Sequence, residues 1–214
     1  MRVLVIGNGS DVGGDELRRL QRKHELMVVT DGAVHRLAFD VVPDVVCGDF
    51  DSIDRELAEA TYPKATYLHL PDQNSCDLEK AIAVALERGA TSITLAGFFG
   101  GRIDFSVATL SVFLRYHAEV ALIALHRGST VWVLSAESRY HKPLRFEAAS
   151  GDTVSVLPLE KSRLTLKNVE WPLDCENMSP GSRGVSNRAL GGPVDVEVSQ
   201  GVVVVCWVPD PTKN

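Results

Sequence analysis

The sequence predicts an α/β fold in two parts: an N-terminal open, mostly parallel α/β sheet followed by a C-terminal antiparallel β-sandwich domain. Three observations predict it. Through residue 125, short apolar runs alternate with helical stretches, the pattern of an open α/β sheet. Those runs are apolar throughout, as strands of a parallel sheet covered on both faces must be. Beyond residue 128, long helical periods vanish and short strands alternate apolar with polar residues, as half-buried antiparallel strands do.

In the first part, Val3–Ile6, Leu26–Val29, Val45–Cys47, Thr66–Leu70, Ile93–Ala96 and Val120–Leu125 read as strands. The clearest helix is Asp77–Arg88. Leu78, Ala81, Ile82, Ala85 and Leu86 repeat on one helical face, Asn74 or Ser75 can cap its start, and Gly89 ends it. A second helix is expected over Phe105–Tyr116. In the second part, Thr130–Leu134, Tyr140–Phe146, Thr153–Leu157, Arg163–Val169, Val194–Val198 and Val202–Trp207 read as strands. The expected domains are 1–128 and 129–214, joined without a long linker.

The composition narrows the function. The 214 residues carry 22 Lys and Arg against 28 Asp and Glu, a net charge of −6. An acidic balance argues against a nucleic-acid partner, whose affinity rests on many Lys and Arg contacts to phosphate. Apolar runs such as Val202–Val208 are far short of the ~20 residues that span a bilayer. The N-terminal MRVLVIG is too short an apolar stretch for a signal peptide. Cys47, Cys76, Cys175 and Cys206 are scattered, with neither zinc-site nor disulfide spacing. No membrane partner and a cytoplasmic location are the expectations.

Candidate chemistry lies just after strands, where open α/β sheets bind ligands. Gly7-Asn8-Gly9 follows the first strand, but the next glycines, Gly13 and Gly14, do not give the dinucleotide spacing. A plain tight turn explains it at least as well as a phosphate contact. Gly48-Asp49-Phe50-Asp51-Ser52 follows the third strand. In an extended segment Asp49 and Asp51 face the same way. Two converging carboxylates require a cation or a shared proton, and an all-oxygen set favours magnesium. The competing reading is a solvated turn in which Asp51-Ser52 caps the next helix, and both stay open at this point. Asp72 and Asp77 follow the fourth strand; Asp77 alone would fit as a first-turn acid satisfying the helix dipole. Gly100-Gly101-Arg102-Ile103-Asp104 follows the fifth. Arg102 presents the planar fork that binds phosphate oxygens, and Asp104 can orient it, cap the helix or accept a proton. The alternative there is a surface ion pair on a glycine-rich turn. Acids for a metal together with an arginine beside glycines make phosphoryl chemistry the leading reading.

These pieces together resemble the thiamin pyrophosphokinase family. Asp31-Gly32-Ala33 with His35-Arg36-Leu37 is similar to DGGANRL, and Gly48–Ser52 matches GDFDS. Pro71-Asp72-Gln73-Asn74-Ser75-Cys76-Asp77-Leu78-Glu79-Lys80 is similar to PDQxxTDxxK, and Gly100–Asp104 matches GGRxD. Val169-Glu170-Trp171-Pro172-Leu173 resembles G[LV]xWxL, and Gly184-Val185-Ser186-Asn187 resembles GxSN. Four positions depart from the pattern: Val34, His35 for Asn, Cys76 for Thr, and Asn168 for the first glycine of GLxW.

The resemblance implies diphosphoryl transfer from ATP to the hydroxyl of thiamin, giving AMP and thiamin diphosphate. It implies a homodimer with sites between subunits. It assigns magnesium to Asp49, Asp51 and Asp77, with Asp72 in support. It puts Arg102 and Asp104 on the nucleotide side and Asp31 near the nucleotide or the reacting centre. It puts Gln73, Ser186 and Asn187 on thiamin, with Trp171 a weaker contact. Two alternatives remain: a pyrophosphokinase for another hydroxymethyl acceptor such as a pterin, and a non-catalytic nucleotide or thiamin sensor.

Overall fold

The computed structural model describes residues 1–9, 12–38, 40–140, 142–210 and 212. They form two compact units, Met1–Val112 with Ala124–Arg127, and Phe113–Ile123 with Gly128–Asn214.

The first half of the chain runs β1 (Arg2–Ile6), α1 (Gly14–Gln21), β2 (Leu26–Thr30), a 3-10 helix (Asp31–Arg36), β3 (Val45–Gly48), α2 (Arg55–Thr61), β4 (Thr66–His69), α3 (Asp77–Glu87), β5 (Ser92–Ala96), α4 (Ile103–Tyr116) and β6 (Ala121–His126). Its strand order is β6-β5-β1-β2-β3-β4. β1 pairs in parallel with both β2 and β5, β2 with β3, and β3 with β4. Parallel pairing puts the carboxyl ends of β5, β1, β2, β3 and β4 on one edge, so the loops that follow them gather there. Leu4, Ile6, Met27, Val29 and Val46 are buried with Leu17 and Leu20 of α1. Helix α3 packs on β1, β2 and β3 and buries Leu78, Ala81, Ile82 and Ala85, the face its periodicity predicts.

Two cap expectations are corrected. The N-cap of α3 is Cys76, which makes no side-chain cap bond. Asn74 and Ser75 are engaged elsewhere, donating to the Asp72 carboxylate at 2.8 and 3.1 Å. Helix α2 is capped by Asp54, whose carboxylate accepts from Leu57 N at 3.1 Å, not by Asp51 or Ser52.

The second half comprises β7 (Ser129–Ser135), β8 (Leu144–Ala148), β9 (Thr153–Pro158), β10 (Ser162–Lys167), β11 (Leu173–Met178), β12 (Asn187–Arg188), β13 (Gly192–Gln200) and β14 (Val202–Val208). They form two antiparallel arrangements, β12-β9-β14-β7 and β11-β10-β13-β8. Val154, Val156, Val203 and Val205 of one share a core with Leu164, Leu166, Val194, Val196 and Val198 of the other. Alternate residues turned into one shared core make this the expected β-sandwich.

Its strands differ from expectation in three places. The strand expected at Tyr140–Phe146 is Leu144–Ala148: Tyr140 N donates to Ser138 Oγ in a turn, and Pro143 has no N–H to give a ladder. Residue 141 lies outside the described residues. Asn168, at φ 63°, ends β10 short of Val169. Strands β11 and β12 were not expected at all. No helix among the described residues is long and apolar enough to cross a membrane.

Candidate active site

Asp31 follows β2 directly and is fully buried. Its two carboxylate oxygens accept from Gly32 N and Phe50 N, each at 2.7 Å. The second bond ties it to the loop after β3, which carries Asp49 and Asp51. Gly48 makes the approach possible, because a Cβ there would lie 2.6 Å from both Asp31 oxygens. The loop is a turn, not the extended segment expected: Phe50 has φ 64°. Its ring is held by a stack on His69 at 5.5 Å and by the Arg55 guanidinium 5.2 Å away. The turn still brings carboxylate oxygens of Asp31, Asp49 and Asp51 within 4.8 Å of one another.

Around this group stand residues from the loop after β4 and from α3. Gln73 Nε2 donates to Asp49 Oδ2 at 3.1 Å. That bond, with the Asp51 N–H, holds the Asp49 carboxyl below the usual range. Asp77 opens α3; burial and the Asp31 carboxylate push its carboxyl upward. It is not among the three acids that converge. Lys80, one turn along α3, links it to them: Lys80 Nζ lies 3.8 Å from Asp49 Oδ2 and 3.7 Å from Asp77 Oδ1. The sequence reading quoted Lys80 in a motif and gave it no role. The available signal was its i+3 spacing from Asp77 beside the buried Leu78 and Ala81. Cys47 lies buried at the end of β3, and burial near Asp77 and Asp31 pushes its thiol up to about 12, so it remains a thiol.

The remaining site residues fall into separate groups. Asp72 faces its own turn, and the Asn74 and Ser75 bonds hold its carboxyl low. Arg102 and Asp104 follow β5 and pair side on, with Nε 3.1 Å from Oδ1. That pairing lowers the Asp104 carboxyl, and both groups face solvent. The Gly7-Asn8-Gly9 turn resolves as structural: Gly7 N and Gly9 N donate to Ala96 O and Gly97 O at 2.8 Å, so these amides are not free for phosphate.

In the sandwich, Trp171 and Asn187 line a cavity of about 440 Å³ with Glu170, Leu173, Arg183 and Val185. Asn187 is buried and spends its amide on the chain: Oδ1 accepts from Trp171 N at 3.1 Å and Nδ2 donates to Trp171 O at 2.7 Å. It therefore fixes the backbone of Trp171, a residue that is more than half exposed where it lines that cavity. Ser186, at φ 63°, is anchored by its N–H to Ser155 Oγ at 3.0 Å, which leaves its hydroxyl at the surface.

Fold and site define a class: an α/β protein with a β-sandwich unit and an all-oxygen acid cluster at the carboxyl edge of its parallel sheet. Comparison with known proteins narrows it. Residues 17–125 match the thiamin pyrophosphokinase catalytic domain, and residues 142–203 match the thiamin pyrophosphokinase vitamin B1 binding domain. The chain is 36% identical to thiamin pyrophosphokinase 1 of Caenorhabditis elegans, over 75% of this chain and 68% of that one. Among solved structures, thiamine pyrophosphokinase from Bacillus subtilis superposes with a TM-score of 0.83 at 20% identity, covering 98% of this chain and 100% of that one. Thiamin pyrophosphokinase from Candida albicans gives 0.76 at 17% identity, covering 98% and 90%. The chain belongs to the thiamin pyrophosphokinase family.

Proposed function

We propose that the chain transfers the diphosphoryl group of ATP to the hydroxyl of thiamin in a magnesium-dependent reaction that releases AMP. The observation that carries the reading is the convergence of Asp31, Asp49 and Asp51 at the edge where the loops after β2 and β3 meet. Its donors are carboxylate oxygens without sulfur or nitrogen partners, the set that suits a hard divalent cation. Asp49 and Asp51 would hold it, with Asp31 behind them and Asp77 beside them. Bound there, a divalent cation supplies charge neutralisation for the phosphates.

The chain's own residues do the rest. The thiamin hydroxyl oxygen forms a bond to the β-phosphorus as the bond from that phosphorus to the α–β bridging oxygen breaks. AMP carries away the bridging oxygen with its electron pair. The hydroxyl proton passes to a carboxylate. Asp72 and Asp104 are the candidates, because each is an exposed carboxylate at the carboxyl edge of the parallel sheet, Asp72 in the loop after β4 and Asp104 in the first turn of α4. Arg102 stabilises charge on the phosphates once it is turned from Asp104. Positioning supplies much of the rate, so Gln73 acts by holding Asp49 and by meeting thiamin. The thiazolium is a permanent cation; the Trp171 face and the Glu170 carboxylate in the sandwich cavity suit it. Ser186 contacts thiamin and Asn187 holds the Trp171 backbone.

On this reading residues 1–128 form the nucleotide half and 129–214 the acceptor half. The protein acts in the cytoplasm as a homodimer with sites between subunits, without nucleic-acid or membrane partners. Incubation with ATP, magnesium and thiamin should yield AMP and thiamin diphosphate in equal amounts. A hydroxymethylpterin in place of thiamin should give neither. Thiamin-independent AMP release, or turnover with the pterin alone, would overturn the reading. Asp49→Asn should abolish turnover with the fold intact.

A further inference from the structure

We propose that His35 is a positioning residue for the divalent-ion site: its imidazole pins the far end of the loop that carries Asp49 and Asp51. The inference rests on the metal reading above and adds to it a residue at which this chain departs from the family motif. His35 Nε2 accepts from Asp54 N at 3.0 Å. In that role Nε2 is unprotonated and Nδ1 carries the proton. The loop thus has two backbone anchors, Phe50 N on the Asp31 carboxylate at 2.7 Å and Asp54 N on His35. Between them, a Cβ on Gly32 would lie 3.7 Å from Ser52 Cβ. Asp31, Gly32 and His35 all belong to the 3-10 helix, which Ala33 and Val34 bury in the core. One rooted element therefore meets the loop at its start, middle and end.

The start of α2 explains why an outside acceptor is required. Asp54 is its N-cap, and the Asp54 carboxylate accepts from Leu57 N at 3.1 Å. In a complete capping box the third helical residue, a Glu or Gln, reaches back to the N–H of the cap. Here that residue is Leu57, whose side chain has no acceptor. His35 supplies the acceptor from a distant part of the chain and completes the box. Bonds inside the loop cannot replace this tie. Asp51 N meets Asp49 Oδ1 at 3.3 Å and Ser52 Oγ donates to Asp51 Oδ1 at 2.7 Å, so both pairs move with the loop. Asp51 lies between the two anchors, and its approach to Asp31 and Asp49 depends on both. A partner that orients a ligand without touching the ion sets the affinity for that ion.

The test compares His35→Leu, His35→Asn and His35→Gln with the wild type and does not depend on turnover. Gln places an acceptor oxygen as many bonds from the backbone as Nε2, Asn ends one bond short, and Leu has no acceptor. Amide exchange at Asp54 is followed by NMR, and Mn²⁺ alone is titrated with detection by electron paramagnetic resonance. His35→Leu and His35→Asn should each speed exchange at Asp54 and weaken Mn²⁺ by about three-fold or more, the loss of one hydrogen bond. His35→Gln should restore both. Unchanged Mn²⁺ affinity in the Leu and Asn variants overturns the proposal, because His35 would then fasten α2 alone. An equal loss in the Gln variant overturns it too, because the shape of the ring and not its acceptor would matter. If His35→Leu does not fold, the Asn and Gln variants, both polar at this exposed position, carry the same comparison. Thiamin-dependent AMP formation by the wild type decides the function separately, so the two failures are distinguishable.

Discussion

A methyl group on Gly48 would sit 2.6 Å from both oxygens of the Asp31 carboxylate, and the clash falls on buried atoms held by two amides. Gly48→Ala should therefore push Asp31 off Phe50 N and release the turn that carries Asp49 and Asp51. Overpacking of this kind costs about 1–3 kcal/mol. The catalytic loss should be larger than that cost implies, because the three acids depend on one geometry. Thermal melts and thiamin-dependent AMP formation, measured on the same preparation, check both parts. A variant with normal turnover would show that Asp31 does not set the loop. This arrangement was only half legible in the sequence. Each acid could be placed after a strand, because apolar runs ending in Asp are visible along the chain. That Asp31 reaches under Gly48 depends on β2 pairing with β3, which no local pattern encodes. Lys80 was missed because a lysine on a helix normally reads as solvent-facing; only the packing of α3 on the sheet buries it.

Among the elements, α3 combines a well-formed apolar face with a start that has no side-chain cap bond from Cys76. Cys76→Thr supplies the missing acceptor and should stabilise the chain by about 1 kcal/mol, read as a higher Tm. No change in Tm would mean that the first-turn amides are already satisfied. Helix α1 carries a pH-sensitive link. His24, just beyond it, meets Leu20 O at 2.7 Å through Nδ1 and Thr94 Oγ1 at 2.8 Å through Nε2. Burial holds its imidazole below the usual value of 6.5. The folded state therefore disfavours the protonated ring. Its contribution is present above 6.5 and is lost as pH falls through the lowered folded value. Urea unfolding from pH 7.5 to 5 should show stability falling with pH, and His24→Gln should flatten that slope. Equal slopes would remove His24 as the cause. The elements most legible in the sequence were those whose pattern is set by burial on both faces, such as β1, β3 and β14. β11 was not, because Leu173-Asp174-Cys175-Glu176-Asn177-Met178 buries only its two ends. Its place comes from pairing with β10 across a register shift, and Cys175 has φ 51°. The start of β8 was misplaced because the Ser138–Tyr140 turn is held by a side-chain bond that apolar patterning does not register.

At the scale of the whole molecule, the net charge of −6 excludes little by itself, but its distribution is informative. Acids that crowd one sheet edge repel unless cations join them, so on the proposed reading a polyphosphate there would be met by divalent ions and Arg102. The surface also has an apolar feature that composition hides. Along α4, Ile103, Val107, Leu110 and Leu114 are all exposed, spaced four, three and four residues apart, while Thr109, Val112 and Phe113 on the other face are buried. That spacing draws one straight seam along the helix, the pattern with which two helices pack against each other. A seam that repeats symmetrically about its centre can meet a second copy of itself across a two-fold axis. The proposed homodimer thus has a surface to form on, and the same helix begins inside the Gly100–Asp104 motif. Replacing Val107 and Leu110 by Glu sets four carboxylates against one another in such a pair. Sedimentation should then report a monomer in place of a dimer. Circular dichroism should be unchanged, because both side chains already face water. Turnover should fall with the dimer, since Arg102 and Asp104 sit at the end of the helix that loses its support. A double variant that still sediments as a dimer would place the contact on another face, and a monomer with full activity would show that each chain holds a complete site.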